Sequence, residues 1–171
     1  MKKLILFIFC LVSVASFAQS DKKTCSLIID PDYKGSIAVY NKPNGKMIIS
    51  IRQNYKEEDF LTFNISSQTT GFFYGTLEYS ISGKKIKGWI KKAKYVGIYA
   101  RNYSVTKLNL YLNPNLQAAV SSVIPDWTNQ LYQVTSYNKS WVYVTIVYKG
   151  EIKNGWLSPD MQCSNPYTTC N

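Results

Sequence analysis

The chain has 171 residues and a formal net charge of +10, with 20 Lys and Arg against 10 Asp and Glu. Hydrophobic residues make up 46% of the chain and aromatic residues 15%, which is enough to bury a core and excludes a disordered chain. It contains 0 His, which removes the commonest general base, the commonest metal ligand and every His-dependent triad. We therefore expect a protein that is not an enzyme and that uses no cofactor or metal.

Residues 1–18 have the pattern of a secretory signal peptide. A basic start, Met1-Lys2-Lys3, precedes an apolar run over residues 4–14, and residues 16–18 fit a small-x-small cleavage site. The run is shorter than the ~20 residues that a membrane span needs. We expect cleavage after Ala18, no stable membrane insertion, and export to the periplasm or the medium.

The cysteines that follow this segment can form disulfides in an oxidising compartment. Cys25, Cys163 and Cys170 are three in number, so at least one is free or paired between chains. Cys163 and Cys170 bracket a short segment in which Pro166 can turn the chain back, which favours that pair. A bond from Cys25 to either of the other two is the competing arrangement.

An internal repeat organises the chain beyond residue 34. Residues 39–44 recur as residues 110–115, and Gly88-Trp89-Ile90 recurs as Gly155-Trp156-Leu157. The offset between the copies shortens twice, and both shifts fall at predicted hairpin turns, where insertions are tolerated. We predict two copies of one β-fold. The predicted divisions are a signal peptide at 1–18, an N-terminal segment at 19–34, repeat 1 at 35–102 and repeat 2 at 105–171.

The predicted elements are short strands, in chain order Met47–Ile51, 119–124, 131–135 and Trp141–Tyr148. The last strand is apolar on both faces, which predicts a central strand that is covered on both sides. The connection between the repeats, residues 100–107, lacks Gly and Pro, so we expect a stiff join and repeats that touch.

Repeat 2 resembles a bacterial Src-homology-3-like domain. The residues that carry the resemblance are an opening strand and Pro loop at 108–114, Trp141-Val142-Tyr143-Val144, and Gly155-Trp156-Leu157. Repeat 1 is similar through Tyr40, Pro43 and Gly88-Trp89-Ile90, with Phe72 in place of the Trp and Gly75 in place of the Val. The resemblance implies an all-β chain of two tandem small barrels. It also implies a non-catalytic module of the cell envelope that recognises peptidoglycan or its peptide stems through an aromatic groove.

Aromatic residues are the candidate ligand-binding residues, because flat amphipathic rings suit sugar and peptide surfaces. The candidates are Tyr40, Tyr55, Tyr111, Trp127, Trp89 and Trp156. For the two Gly-Trp tryptophans the sequence leaves two interpretations open, which are packing in a barrel wall and the floor of a ligand groove.

Positive charge is concentrated in repeat 1, since residues 35–104 carry a net charge of +7 and residues 105–171 a net charge of +1. A basic patch is predicted at Lys84, Lys85, Lys87, Lys91, Lys92 and Lys94. It is either a solvated face or a surface that attracts anions. We expect no nucleic-acid partner for an exported protein. The expected partners are a cell-wall peptide or glycan, or alternatively an acidic exported protein that this lysine-rich face binds or inhibits.

Overall fold

The structure is a computed structural model that describes residues 25–54, 56–103, 107–168 and 170. These residues form 13 β-strands and one 3-10 helix, and they contain no α-helix. The all-β class is therefore confirmed. The signal peptide predicted at residues 1–18 lies outside the described residues.

The strands follow the sequence predictions closely. The first half of the chain contains β1 (Cys25–Ile29), β2 (Ile37–Tyr40), β3 (Met47–Ile51), β4 (Leu61–Gln68), β5 (Phe72–Tyr79), β6 (Lys85–Lys91) and β7 (Val96–Ala100). The second half contains β8 (Leu108–Tyr111), β9 (Val120–Ile124), β10 (Tyr132–Asn138), β11 (Trp141–Tyr148), β12 (Glu151–Leu157), the 3-10 helix Pro159–Met161 and β13 (Gln162–Cys163). The predicted strands correspond to β3, β9, β10 and β11.

The two halves have the same strand order. The sheet runs β3-β2-β6-β5-β4-β1-β7-β10-β11-β12-β8-β9, with β13 paired to β7. The order β3-β2-β6-β5-β4 thus recurs as β9-β8-β12-β11-β10. Strand β1 pairs with β4, and β7 pairs in the same way with β10, so β7 takes for the second half the place that β1 takes for the first.

The halves are joined through β7. This strand pairs with β1 on one side and with β10 on the other, all antiparallel, so backbone hydrogen bonds continue from one half into the next. The two halves touch, as the short connection predicts. Among the described residues the pairings run from β3 to β9 without closing, so one open sheet is observed there, and the pair of barrels stays a prediction.

One hydrophobic core extends through both halves. Its largest fully buried side chains include Phe63 and Phe73 from the first half and Tyr132 from the second. Strand β1 contributes Leu27 and Ile29, which are also fully buried. The described part of the N-terminal segment predicted at residues 19–34 therefore contributes a strand to the sheet.

Strand β11 corrects one prediction. Val142 and Val144 are buried, but Tyr143 between them is only partly buried and Val147 is 59% exposed. Successive side chains of a strand point to opposite faces, so only one face of β11 packs on the core. The side chains of the opposite face, such as Tyr143, are therefore partly open to solvent.

Candidate functional site

Four aromatic side chains meet on β2, β5 and β6, and we call them the first aromatic cluster: Tyr40, Phe72, Tyr74 and Trp89. Trp89 lies across from Tyr40 on one neighbouring strand and from Tyr74 on the other. The ring centroids of Tyr74 and Trp89 are 5.1 Å apart, and those of Tyr40 and Phe72 are 5.9 Å apart. Such separations are typical of interacting aromatic pairs. The four rings thus form two interacting pairs, which the backbone pairing of Tyr40 with Trp89 places on neighbouring strands.

The second aromatic cluster repeats this arrangement on β8, β11 and β12, and it consists of Tyr111, Trp141, Tyr143 and Trp156. Trp156 lies across from Tyr111 and from Tyr143. The ring centroids of Tyr143 and Trp156 are 5.5 Å apart, and those of Tyr111 and Trp141 are 5.7 Å apart. Each member therefore has a counterpart in the first cluster.

Both clusters lie on the face of the sheet that is turned away from the core. Gly88 and Ile90 are buried, so Trp89 between them points to the opposite face, where it is partly buried. The segment 155–157 has the same alternation, with Trp156 partly buried between two buried residues. Neither tryptophan belongs to the core cluster. This placement favours the ligand-surface interpretation over packing in a wall.

A glycine before each tryptophan allows the neighbouring strand to approach. A Cβ atom at Gly88 would collide with Val39 Cγ1, and one at Gly155 would lie 2.9 Å from Leu110 Cβ. Gly155 also has a φ of +149°, which favours glycine. Because β2 approaches β6 closely, Tyr40 at the end of β2 lies directly beside Trp89. In the same way, Tyr111 at the end of β8 lies beside Trp156.

The first cluster carries positive charge. Lys87 and Lys91 lie two residues before and after Trp89, and their side chains therefore share its face. Lys87 Nζ is 5.7 Å from the centroid of the Tyr74 ring, within the range of a cation–π contact. Both lysines are exposed, and neither forms an ion pair with any residue that the structure describes.

The second cluster is uncharged at the corresponding positions. Asn154 takes the place of the first lysine, and its Oδ1 accepts a hydrogen bond of 3.2 Å from the Tyr143 hydroxyl. Ser158 takes the place of the second lysine and is buried. The two aromatic surfaces thus have aromatic residues at equivalent positions and different electrostatics.

The other lysines of the predicted basic patch have varied surroundings. Lys84 and Lys94 are exposed, outside β6 at either end. Lys85 Nζ is 3.2 Å from Glu78 Oε1, so its charge is partly neutralised. An exposed ion pair of this kind adds little stability and is weakened by salt.

Lys92 faces the junction between the two halves. Its Nζ donates to Gln68 Oε1 at 3.2 Å and lies 4.6 Å from the centroid of the Phe73 ring. Partial burial lowers the pKa of Lys92. Gln68 Nε2 in turn donates to the Tyr137 carbonyl oxygen at 2.8 Å, across the two halves. We assign Lys92 to this junction rather than to a ligand surface.

Trp127, one of the predicted ligand residues, is not part of either cluster. Trp127 packs against the core, and its Nε1 donates to the Ala100 carbonyl oxygen at 3.1 Å. This hydrogen bond gives Trp127 a structural role. Tyr55 lies outside the described residues.

Two carboxylates stabilise loops. Asp59 is 5% exposed, and its Oδ1 accepts hydrogen bonds from the Ile81 N–H at 2.7 Å and the Ser82 N–H at 3.4 Å. Burial acts to raise the pKa of Asp59, but these hydrogen bonds outweigh it and hold the pKa below its ordinary value. Asp126 Oδ2 accepts from the Tyr148 hydroxyl at 2.6 Å and from Lys149 Nζ at 3.0 Å, and both contacts lower its pKa.

The cysteine pairing agrees with the pair that the sequence favours. Cys163 and Cys170 form a disulfide, and Cys25 is a free, buried thiol. Burial raises the pKa of Cys25 to about 12. Within the described residues, no group of three or more His, Cys, Asp or Glu side chains is placed to hold a metal ion.

Phe72 and Trp141 are not among the ligand-binding residues predicted from the sequence, where they serve only as markers of the repeat. Each lies two residues before a tyrosine of its cluster, at the start of β5 or β11. The two-residue spacing of Trp141 and Tyr143 places both on one strand face, so the signal was present in the sequence. Recognising it required knowing which face is turned away from the core.

Comparisons with known proteins give no family assignment. No family model matches the chain, and no curated protein matches it significantly. Separately, none of the described residues belongs to a helix with the length and apolar character to cross a membrane.

Proposed function

We propose that this protein is a non-catalytic binding module of the cell envelope, exported to the periplasm or secreted, that recognises peptidoglycan or its peptide stems. The observation that carries the proposal is the recurrence of one four-ring aromatic cluster in both halves. Aromatic rings commonly fill a hydrophobic core, yet both clusters lie on the face of the sheet that is turned away from the core. Seven of the eight rings are partly exposed and Phe72 is buried. Partly exposed aromatic rings are typical of surfaces that hold sugars and peptides.

Two equivalent surfaces on one chain suit a polymeric ligand. A repeating polymer offers many identical sites, so a second contact becomes effectively intramolecular once the first has formed. Weak binding at each cluster would then give firm retention overall. An aromatic surface can supply such contacts without a deep pocket.

The fold proposal is two tandem Src-homology-3-like units. The shared order of five strands in each half supports it, as do the Gly-Trp strands at the same place in that order. Export is supported by the signal-peptide pattern in the sequence and agrees with the Cys163–Cys170 disulfide.

Sedimentation with purified cell-wall sacculi tests the function. The parent should remain in the pellet at ~0.5 M salt, where attraction between exposed charges is largely screened. Trp89→Ala and Trp156→Ala should each reduce retention, and the double variant should abolish it. Ile81→Ala and Leu116→Ala are matched controls, because these side chains are 67% and 57% exposed and lie in loops, outside the strands that carry the clusters. Equal retention of the parent and the double tryptophan variant would refute the proposal.

An acidic exported protein is the second candidate partner. The exposed lysines around β6 favour it, since none of them except Lys85 forms an ion pair with a residue that the structure describes. These lysines are Lys84, Lys87, Lys91 and Lys94. This binding would be lost at ~0.5 M salt, whereas aromatic contacts persist. Salt dependence therefore separates the two candidates.

A further inference from the structure

The two aromatic clusters differ in one respect that bears on ligand choice. Lys87 and Lys91 lie on either side of Trp89 in the first cluster, and Asn154 and Ser158 hold the matching positions around Trp156 in the second. Apart from these positions, the clusters have aromatic residues at all four equivalent places. Besides the replacement of Phe72 by Trp141, the clusters thus differ in the charge that flanks the tryptophan.

We infer that the first aromatic cluster binds an acidic peptide in an extended conformation along β6, and that the second binds an uncharged part of the ligand. This inference rests on the proposed function, since it takes the clusters to be the binding surfaces. It assigns them different ligand chemistry. The lysines select carboxylates, and the rings between them contact the intervening chain.

The spacing of the lysines favours a peptide. Lys91 follows Lys87 by four positions along the extended strand, which places their Cα atoms about 13 Å apart at ~3.3 Å per residue. An extended peptide with carboxylates four residues apart has the same spacing. The aromatic rings of Trp89 and Tyr74 lie between the two charges, where they can contact the peptide between its acidic groups.

The charges are available to a ligand. Lys85 and Lys92 each have a partner in Glu78 or Gln68, whereas Lys87 and Lys91 form no ion pair within the described part of the chain. Lys87 is held near the Tyr74 ring, which places its charge at the edge of the aromatic surface. A carboxylate there would contact the ammonium group while its neighbouring atoms contact the ring.

The test uses two dye-labelled, N-acetylated heptapeptides whose binding is followed by fluorescence polarisation at ~0.05 M salt. One has Glu at its second and sixth positions with Ala elsewhere, and the other has Gln at both. The parent should bind the Glu peptide about fivefold more tightly, because two exposed charge contacts each contribute modestly. The Lys87→Gln/Lys91→Gln variant should bind both peptides equally.

Lys107→Gln/Lys139→Gln is the matched control, since it removes the same charge from exposed lysines outside the clusters. It should keep the preference for Glu. Trp89→Ala should weaken binding of both peptides, whereas Trp156→Ala should leave the preference intact. Far-ultraviolet circular dichroism shows that each variant is folded.

Three outcomes would overturn the inference: equal binding of both peptides by the parent, equal loss in the two double-lysine variants, or tighter binding of an acidic oligosaccharide of the same charge. If the parent sediments with sacculi but shows no preference for Glu, this inference fails and the proposed function stands. If it prefers the Glu peptide but does not sediment with sacculi, the acidic-peptide surface stands and the wall assignment fails.

Discussion

Trp89 and Trp156 have equivalent partners in the two halves of the chain. Trp89 lies across from Tyr40 and Tyr74, and Trp156 lies across from Tyr111 and Tyr143. The rings are inclined differently, since the angle between ring planes is 37° for Tyr74 and Trp89 and 81° for Tyr143 and Trp156. The two halves therefore share the strand pairings around the tryptophan, and they differ in how its ring is inclined to the neighbouring tyrosine.

The first prediction concerns the stability that Trp156 provides. Because its ring is partly exposed and contacts Tyr143 edge-on, Trp156→Ala should lower the free energy of unfolding by about 1–2 kcal/mol. Phe73→Ala, in the core, should cost about 3–5 kcal/mol. Urea unfolding followed by circular dichroism measures both. A cost at Trp156 as large as that at Phe73 would show that the tryptophan packs as a core residue.

The second prediction concerns acid sensitivity at the β5–β6 hairpin. The pKa of Asp59 is lower in the folded state than in the unfolded chain, so its stabilising effect is present above the unfolded pKa. That stability is lost as the pH falls through the folded pKa. Asp59→Asn should therefore be less stable than the parent at pH 7, by about 1–2 kcal/mol.

The comparison at low pH completes this test. The difference in unfolding free energy between the parent and Asp59→Asn should shrink as the pH is lowered from 5 to about 2.5, since the parent carboxylate becomes protonated. Using the difference removes the contributions of other carboxylates such as Asp126. A difference that stays constant over this range would contradict the role given to the Asp59 charge.

Much of the fold could be predicted because β-strand signals are local. Alternating apolar residues and turn residues located strands such as Met47–Ile51 and Trp141–Tyr148. The sharing of β7 between the halves could not be predicted, because pairing between distant strands depends on tertiary packing. The same limit applies to β1, whose short apolar run, Cys25–Ile29, gave no indication of its partners β4 and β7.

The candidate site was only partly predictable for a related reason. Tyr40, Tyr111, Trp89 and Trp156 were identified from the repeat, and the structure brings them into two matching clusters. Trp127 is predicted alongside them because flat amphipathic rings suit sugar and peptide surfaces. In the structure its ring packs on the core, which depends on contacts that sequence spacing does not reveal.

The third prediction concerns the thiol of Cys25. With a buried side chain and a pKa raised to about 12, almost none of it is thiolate at pH 8. In the chain from Gln19 onward, a thiol reagent should therefore label no cysteine in the folded state and one in urea. Labelling in the folded state would contradict this burial. Reduction with dithiothreitol before unfolding should raise the number in urea to three, because Cys163 and Cys170 are then released.

The last prediction concerns Gln68, which links the two halves. Its Oε1 accepts hydrogen bonds from Lys92 Nζ at 3.2 Å and Ser136 Oγ at 3.3 Å, and its Nε2 donates to the Tyr137 carbonyl at 2.8 Å. Gln68→Ala leaves these groups without their partner. The free energy of unfolding should fall by about 1–3 kcal/mol.

Hydrogen exchange locates this effect at the junction. The Tyr137 N–H also donates to Gln68 Oε1, at 3.4 Å, so its exchange should accelerate in Gln68→Ala while amides of β5 change little. Gln117→Ala is the matched control, since Gln117 is exposed and lies in the loop between β8 and β9. It should alter neither stability nor exchange at Tyr137. If Gln68→Ala leaves exchange at Tyr137 unchanged, the halves are held together by the β7 pairings and the shared core alone.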